Sequence, residues 1–161
     1  MPDTKPRNHY SSFGKIESQL DPKFVQPLDL TVARSSLDAG TIVILAGGTG
    51  QPGFSTDTGA VQLAVELGIT TILKATHTVD GVYSADPAQD PAARKLPQLT
   101  YQQALTDRLA VMDETALKAA HTAELTTIVF SIHDPTTLTD LLAGETIGST
   151  ITSGGHNDLT Q

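Results

Sequence analysis

An apolar strand that runs into a glycine-rich loop is the feature that most constrains the fold of this chain. Residues 41–46, TIVILA, are β-branched or apolar at every position, which is typical of a strand buried on both faces. The loop GGTGQPGFST follows, and Asp57 then opens a segment whose apolar face ends at Gly68. The order of strand, loop and helix predicts one unit of a parallel α/β sheet.

The same alternation continues along the chain. Helical spacing over residues 28–37 ends at Gly40, and Thr100 and Asp113 are typical N-caps of two further helices. A last helix is predicted over residues 136–142. Parallel strands are predicted over residues 41–46, 71–75 and 126–131. We therefore expect an α/β fold, with a mostly parallel sheet and helices on both of its faces.

The length of 161 residues fits one domain. We assign residues 1–25 to a loose leader, residues 26–152 to the domain and residues 153–161 to a disordered tail. With 10 basic and 18 acidic residues the net charge is -8, which disfavours nucleic acid and anionic membranes as partners. The absence of cysteine excludes thiol chemistry, and the chain lacks a signal-like or membrane-spanning apolar run. A cytoplasmic location is the expectation.

The glycines of the loop spell GxGxxG at Gly48, Gly50 and Gly53, but the context excludes a dinucleotide fingerprint. Pro52 and more loop residues intervene before the helix. About 20 positions on, at the end of the next strand, Leu73 and Lys74 stand in place of an acidic residue. The Walker pattern is excluded too, because Phe54 follows the last glycine in place of lysine.

Two interpretations of this loop stay open. Its end meets a helix N-terminus, where free backbone N–H groups favour an anion or the polar edge of a ligand. The alternative is a flexible connection in which Ser55 or Thr56 only caps the helix.

Asp57 and Lys74 are the charged residues that could carry phosphoryl chemistry. Lys74 ends a strand of otherwise apolar residues, and in open α/β sheets ligands bind beyond the carboxyl ends of strands. Asp57 could pair with this lysine and orient it toward a phosphoryl group. The alternatives are a carboxylate that only complements the helix dipole and a surface salt bridge.

Tyr83 and Asp86 lie in a long loop over residues 76–94. They offer a ring for stacking and an acceptor for a ribose hydroxyl or a base amine. The alternative is that Tyr83 pins the loop to the core while Asp86 opens a turn before Pro87. The five histidines have no metal-ligand spacing, so we expect no resident metal and a divalent ion that enters with a nucleotide.

Several motifs agree, in order and approximate spacing, with one known family. They are TIVILAGGTGQPGFSTDTGA, ILKAT, VDGVYSADP, LTY, VMD and GSTI. Together they resemble the C-terminal half of bacterial uridylate kinase, a member of the amino acid kinase superfamily. The resemblance implies transfer of a phosphoryl group from ATP, with Mg²⁺, to UMP, which gives UDP in pyrimidine nucleotide biosynthesis.

The resemblance also implies roles for individual residues. Asp57 matches the acidic organiser and Lys74 the C-terminal-lobe lysine, and the ATP-side contacts fall on Thr76, Tyr83 and Asp86. The UMP-binding loop falls on Thr49, Gly50, Gln51, Pro52, Gly53, Phe54, Ser55 and Thr56.

The chain departs from the family pattern at a few positions. Gln51 replaces a usual asparagine, Gly53 a usual aromatic residue and Leu63 a common arginine, and one extra residue lies around His77 and Thr78. We find no counterpart of the family's N-terminal lobe in the sequence.

We therefore expect UMP and ATP as ligands, and weak activity for the chain by itself. Either self-association or a separate N-terminal half is the expected protein partner. A non-catalytic nucleotide-binding or oligomerising module is the alternative, and another small-molecule kinase of the superfamily is a third hypothesis.

Overall fold

The computed structural model describes residues 9–12 and 26–154. The chain divides into two compact units, Met1–Gly68 and Ile69–Gln161. This division falls inside the domain that the sequence predicted over residues 26–152. The rest of the predicted leader, and residues 155–161 of the predicted tail, lie outside the described residues.

The first unit contains a three-stranded parallel sheet with the order β2-β1-β3. Its strands are β1 (His9–Ser12), β2 (Gln26–Pro27) and β3 (Val43–Ala46). The strand β1 corrects the assignment of residues 9–12 to a leader without regular structure. Its four residues carry no apolar alternation, and they form a strand because their backbone groups pair with those of β3, from His9 opposite Val43 onward.

Two helices complete the described part of the first unit, α1 (Leu30–Asp38) and α2 (Thr56–Glu66). The helix α1 begins two residues later than predicted, because the Asp29 carboxylate accepts hydrogen bonds from the backbone N–H groups of Thr31 and Val32. The Arg34 guanidinium donates to the Leu67 carbonyl just beyond α2. This contact ties the end of α2 to α1.

The second unit contains a four-stranded sheet with the order β4-β6-β7-β5. Its strands are β4 (Thr71–Thr76), β5 (Gln98–Thr100), β6 (Thr126–Ser131) and β7 (Ser149–Thr152). The pairs β4/β6 and β5/β7 are parallel, and β6/β7 is antiparallel. The predicted α/β fold with a mostly parallel sheet is confirmed. The prediction of one sheet was wrong for β3, which pairs with β1 and belongs to the sheet of the first unit.

The helices of the second unit are α3 (Tyr101–Thr106), α4 (Glu114–Thr122) and α5 (Thr136–Leu142). Both predicted caps are present. The Thr100 hydroxyl accepts from the backbone N–H of Gln103 at 3.1 Å, and the Asp113 carboxylate accepts from that of Ala116 at 3.0 Å. The predicted bounds of α5 agree with the structure.

A hydrogen bond between two side chains lies in the core of this unit. The Tyr101 hydroxyl and the Thr127 hydroxyl are 2.7 Å apart, and both residues are fully buried. Burial raises the pKa of the Tyr101 phenol, so the phenol stays neutral at physiological pH. The hydrogen bond satisfies two polar groups that would otherwise be buried without a partner, at a position where Thr127 lies opposite the buried Ile151.

We expect Tyr101→Phe to destabilise the protein by about 1–3 kcal/mol, because it leaves the Thr127 hydroxyl buried without its partner. The double variant Tyr101→Phe/Thr127→Val should recover part of this loss, since it removes both polar groups. Urea unfolding followed by circular dichroism measures the difference. A double variant less stable than Tyr101→Phe would contradict the explanation.

Candidate functional site

The glycine-rich loop, residues 47–56, forms a cavity in the first unit. The volume of the cavity is about 600 Å³, within the range of small-molecule sites. The residues that line it are Gly47, Gly48, Thr49, Gly50, Gln51, Pro52, Phe54 and Thr56. Six of the eight residues predicted to bind UMP are thus brought to one cavity, whereas Gly53 and Ser55 are not among its lining residues.

Backbone geometry explains the glycines of this loop. Gly48 and Gly50 have φ values of 60° and 66°, in the left-handed region that side chains disfavour. Between them, the buried Thr49 accepts a hydrogen bond at its hydroxyl from the backbone N–H of Gln51, at 3.1 Å. The loop therefore turns tightly around a buried threonine.

The loop packs closely against the start of α2. A Cβ atom added at Gly59, in α2, would lie 3.1 Å from both the carbonyl carbon of Gly48 and the backbone nitrogen of Thr49. Ser55 is the N-cap of this helix and accepts at its hydroxyl from the backbone N–H of Thr58, at 3.1 Å. Asp57 lies half-buried in the first helical turn. The helix N-terminus thus adjoins the cavity-forming loop.

A second cavity, of about 520 Å³, lies in the second unit. One wall comes from the 76–94 loop and includes the predicted contacts Tyr83 and Asp86. The other wall comes from residues 107–110, after α3, which the sequence analysis missed because these residues form no recognisable motif. Thr76 does not line this cavity, and its hydroxyl donates to the Val79 carbonyl at the start of the loop.

Asp86 makes contacts within its own loop. One carboxylate oxygen accepts from the backbone N–H of Ala88 at 2.9 Å, and the other accepts from the Gln89 side-chain amide at 2.8 Å. These contacts agree with the interpretation that Asp86 opens a turn at Pro87. Its role toward ATP stays a prediction.

Tyr83 is held by an ion pair. The Tyr83 hydroxyl donates to one carboxylate oxygen of Asp80 at 2.8 Å, and the Lys95 ammonium donates to the other at 2.9 Å. The hydrogen bonds from Lys95 and Tyr83 lower the pKa of Asp80 below its usual 3.8. The bond to Asp80 raises the pKa of the Tyr83 phenol above its usual 10.0.

Lys74 lies within β4, opposite Val129 of β6, and is half-buried. The expectation that Lys74 ends its strand was wrong, because β4 continues to Thr76, opposite Ser131. Asp57 belongs to the first unit and Lys74 to the second, and their pairing stays a prediction.

Two negative findings apply to the described part of the chain. No group of three or more histidine, cysteine, aspartate or glutamate side chains is arranged to hold a metal ion there. None of the helices described is both long enough and apolar enough to cross a membrane.

Comparison with known proteins decides the family. The model of the amino acid kinase family matches residues 9–131. The chain belongs to the amino acid kinase family. It is 47% identical over 130 residues to a uridylate kinase of Bradyrhizobium sp. strain BTAi1 and 48% identical over 124 residues to that of Azorhizobium caulinodans. These matches cover 81% and 77% of this chain.

The chain spans about half the length of these relatives, 54% and 52% respectively. Its fold is similar to the crystal structure of UMP kinase from Bacillus anthracis, with a TM-score of 0.82 and 31% identity. That match covers 92% of this chain and 59% of the other. The similarity to the uridylate kinases of the amino acid kinase family is thus confirmed in both sequence and fold.

Substitutions at Ser55 distinguish a helix cap from a ligand contact. We expect Ser55→Ala to lower stability by about 1 kcal/mol through loss of the cap, and Ser55→Asp to restore it. If the loop holds UMP as the sequence predicts, the added carboxylate should nevertheless weaken UMP binding, because it would repel a phosphate at the helix N-terminus.

Calorimetry measures UMP affinity, and urea unfolding measures the free energy of unfolding. Ser35→Ala, on the exposed surface of α1, is the control and should change neither UMP binding nor stability by much. UMP binding by Ser55→Asp as tight as that of the wild type would exclude this helix terminus as the phosphate site.

Proposed function

We propose that this chain binds UMP and ATP and takes part in phosphoryl transfer from ATP to UMP. The observation that carries the proposal is the cavity of the glycine-rich loop at the N-terminus of α2, in a chain similar to uridylate kinases. A loop of this kind offers backbone N–H groups and a helix dipole to a phosphate without any cationic side chain. UMP is the acceptor that we assign to it.

The donor ATP is assigned to the second cavity. Tyr83 lines this cavity with a ring suited to stacking on a base, and Asp86 lies on the same wall. We assign Thr76 to the same side, where its hydroxyl closes the start of the loop. Mg²⁺ enters as the counter-ion of ATP and neutralises charge on its phosphates.

The proposed reaction is direct. A phosphate oxygen of UMP attacks the γ-phosphorus of ATP, the bond to the β,γ-bridging oxygen breaks, and UDP and ADP are the products, as pyrimidine nucleotide biosynthesis requires. Lys74 supplies positive charge toward the transferred group, and Asp57 acts as the acidic organiser. Catalysis then depends on positioning and charge stabilisation, with no covalent enzyme intermediate.

Full activity is proposed to need groups beyond these 161 residues, since the chain matches only 54% of the length of the Bradyrhizobium relative. The loss of one group that stabilises transition-state charge costs on the order of 100- to 1000-fold in rate. Self-association and a separate N-terminal half are the two routes we propose for supplying such groups.

We expect UDP formation by the purified chain to be at least about 100-fold slower than by the full-length Bradyrhizobium relative assayed in parallel. Lys74→Ala should abolish the remaining activity, whereas Lys118→Ala, which removes an exposed lysine of α4, should leave it unchanged. Addition of the separately expressed N-terminal half of that relative should raise the rate.

Two outcomes would change this assignment. Turnover at the rate of the relative, abolished in Lys74→Ala, would show that these 161 residues suffice. Nucleotide binding without any UDP formation, even after the addition, would favour the non-catalytic nucleotide-binding module.

Titration with MgATP tests the donor site. Tyr83→Ala should weaken binding about 5- to 150-fold, because loss of one stacked ring costs roughly 1–3 kcal/mol. Asp86→Asn keeps an acceptor oxygen for the turn and isolates the effect of charge. Equal MgATP affinity in the wild type, Tyr83→Ala and Asp86→Asn would remove both residues from the site.

A further inference from the structure

Tyr83 reaches from the second cavity to a pair of charged residues outside it. Its side chain lines the cavity, while its hydroxyl donates to Asp80 at 2.8 Å. Among the described residues, Asp80 and Lys95 are not part of the cavity lining. The groups that hold the Tyr83 hydroxyl are therefore distinct from the groups that a ligand would contact.

The backbone around Tyr83 is fixed by a short two-stranded arrangement. Tyr83 and Lys95 face each other across an antiparallel bridge. On either side, the Val82 carbonyl accepts from the backbone N–H of Leu96 at 2.8 Å, and the Arg94 carbonyl accepts from that of Ser84 at 2.9 Å. Residues 82–84 are thus joined to residues 94–96 through their backbones.

This arrangement is anchored to the sheet through Gly81 and Val82. The backbone N–H of Val82 donates at 2.8 Å to the hydroxyl of Ser149, a fully buried residue of β7. A Cβ atom at Gly81 would lie 2.6 Å from the Ser149 hydroxyl oxygen and 2.7 Å from the Lys95 Cε. The side chain of Lys95 therefore packs directly on Gly81 on its way to Asp80.

We propose that Asp80 and Lys95 are positioning residues for ATP, which hold the Tyr83 ring in the orientation that stacks on the nucleotide base. The inference rests on the proposed function, because it needs ATP in this cavity. It goes beyond that function by naming two residues that touch no ligand and still determine affinity. A ring already fixed in its bound orientation loses less conformational entropy when the base binds.

The charges of the three groups match this role. Hydrogen bonds from Lys95 and Tyr83 lower the pKa of Asp80 further below neutral pH, so its carboxylate is ionised. The hydrogen bond to Asp80 raises the pKa of the Tyr83 phenol further above neutral pH, so the phenol keeps the proton that it donates. A hydrogen bond from a hydroxyl to a carboxylate is stronger than one between neutral groups, so Asp80 restrains the ring more than a neutral acceptor would.

The hydrogen bond between Tyr83 and Asp80 is expected to have a moderate effect on MgATP affinity. The Asp80 side chain is 58% exposed and that of Lys95 is 30% exposed, so water screens the ion pair. We expect Asp80→Asn and Tyr83→Phe each to weaken MgATP binding about 3- to 10-fold, the range for one hydrogen bond to a charged group after screening.

The experiment is a double-mutant cycle on the full chain, with MgATP affinity measured by calorimetry. The double variant Tyr83→Phe/Asp80→Asn should bind within about twofold of either single variant, since all three lack the charge-assisted hydrogen bond from the Tyr83 hydroxyl to the Asp80 carboxylate. Glu114→Gln removes a carboxylate from the exposed ion pair with Lys118 and is the matched control, with affinity expected within about twofold of the wild type.

Tyrosine absorbance shows whether the Tyr83 hydroxyl is bonded to the Asp80 carboxylate in solution. In an alkaline titration at about 295 nm, the transition lost in Tyr83→Phe belongs to Tyr83. In Asp80→Asn this transition should move toward the ordinary tyrosine pKa, because the carboxylate that raises it is gone.

A second pair of variants tests the proposal in the case that Asp80→Asn does not fold. If Asp80→Asn fails to fold, Lys95→Met is measured against Lys118→Met, which removes a lysine from a different ion pair of this unit. Weaker MgATP binding in Lys95→Met alone supports the proposal.

The outcomes separate the two proposals. MgATP binding that Tyr83→Ala weakens but Asp80→Asn and Tyr83→Phe leave unchanged overturns the positioning role and leaves the ATP site in place. Additive losses in the double variant also overturn it. A wild type that binds no MgATP, or that binds it as tightly as Tyr83→Ala does, overturns the ATP-side assignment and the positioning role with it.

Discussion

The second unit depends on the strand β6, whose backbone is paired on both sides and whose two faces are covered. It lies between β4 and β7, and the consecutive residues Val129 and Phe130 are both buried. Such a strand tolerates a polar side chain only with a partner, which Tyr101 provides for Thr127. Because β4 pairs in parallel with β6 over six residues, the loop that leaves β4 starts from a fixed point at the edge of the sheet.

Short sequence patterns correctly predicted the structural features that depend only on neighbouring residues. The caps at Thr100 and Asp113 and the bounds of β6 and α5 agree with prediction, because capping side chains and β-branched runs act over a few residues. The strands β1 and β7 could not be predicted in this way, since their pairing partners lie far along the chain. The same holds for the cavity wall at residues 107–110, which is close to Tyr83 only in the folded chain.

The local and the functional interpretations of a residue are compatible in this protein. Ser55 caps α2, and the helix start that it caps adjoins the loop that forms the first cavity. Asp86 opens a turn and still faces the second cavity. Pattern analysis could not choose between these roles because each residue can hold its loop in shape and present it to a ligand at once.

The crowding at Gly81 also limits how the length of the 76–94 loop can change during evolution. Lys95 and Ser149 leave no space for a side chain at Gly81, and the bridge between Tyr83 and Lys95 fixes both ends of the segment. An inserted residue between 80 and 84, or between 94 and 96, would shift this register and separate the paired groups. An inserted residue at the exposed positions His77 and Thr78, or over the exposed residues 87–92, would leave this register intact. We therefore expect loop length to vary at these two segments, while the geometry around Tyr83 is preserved.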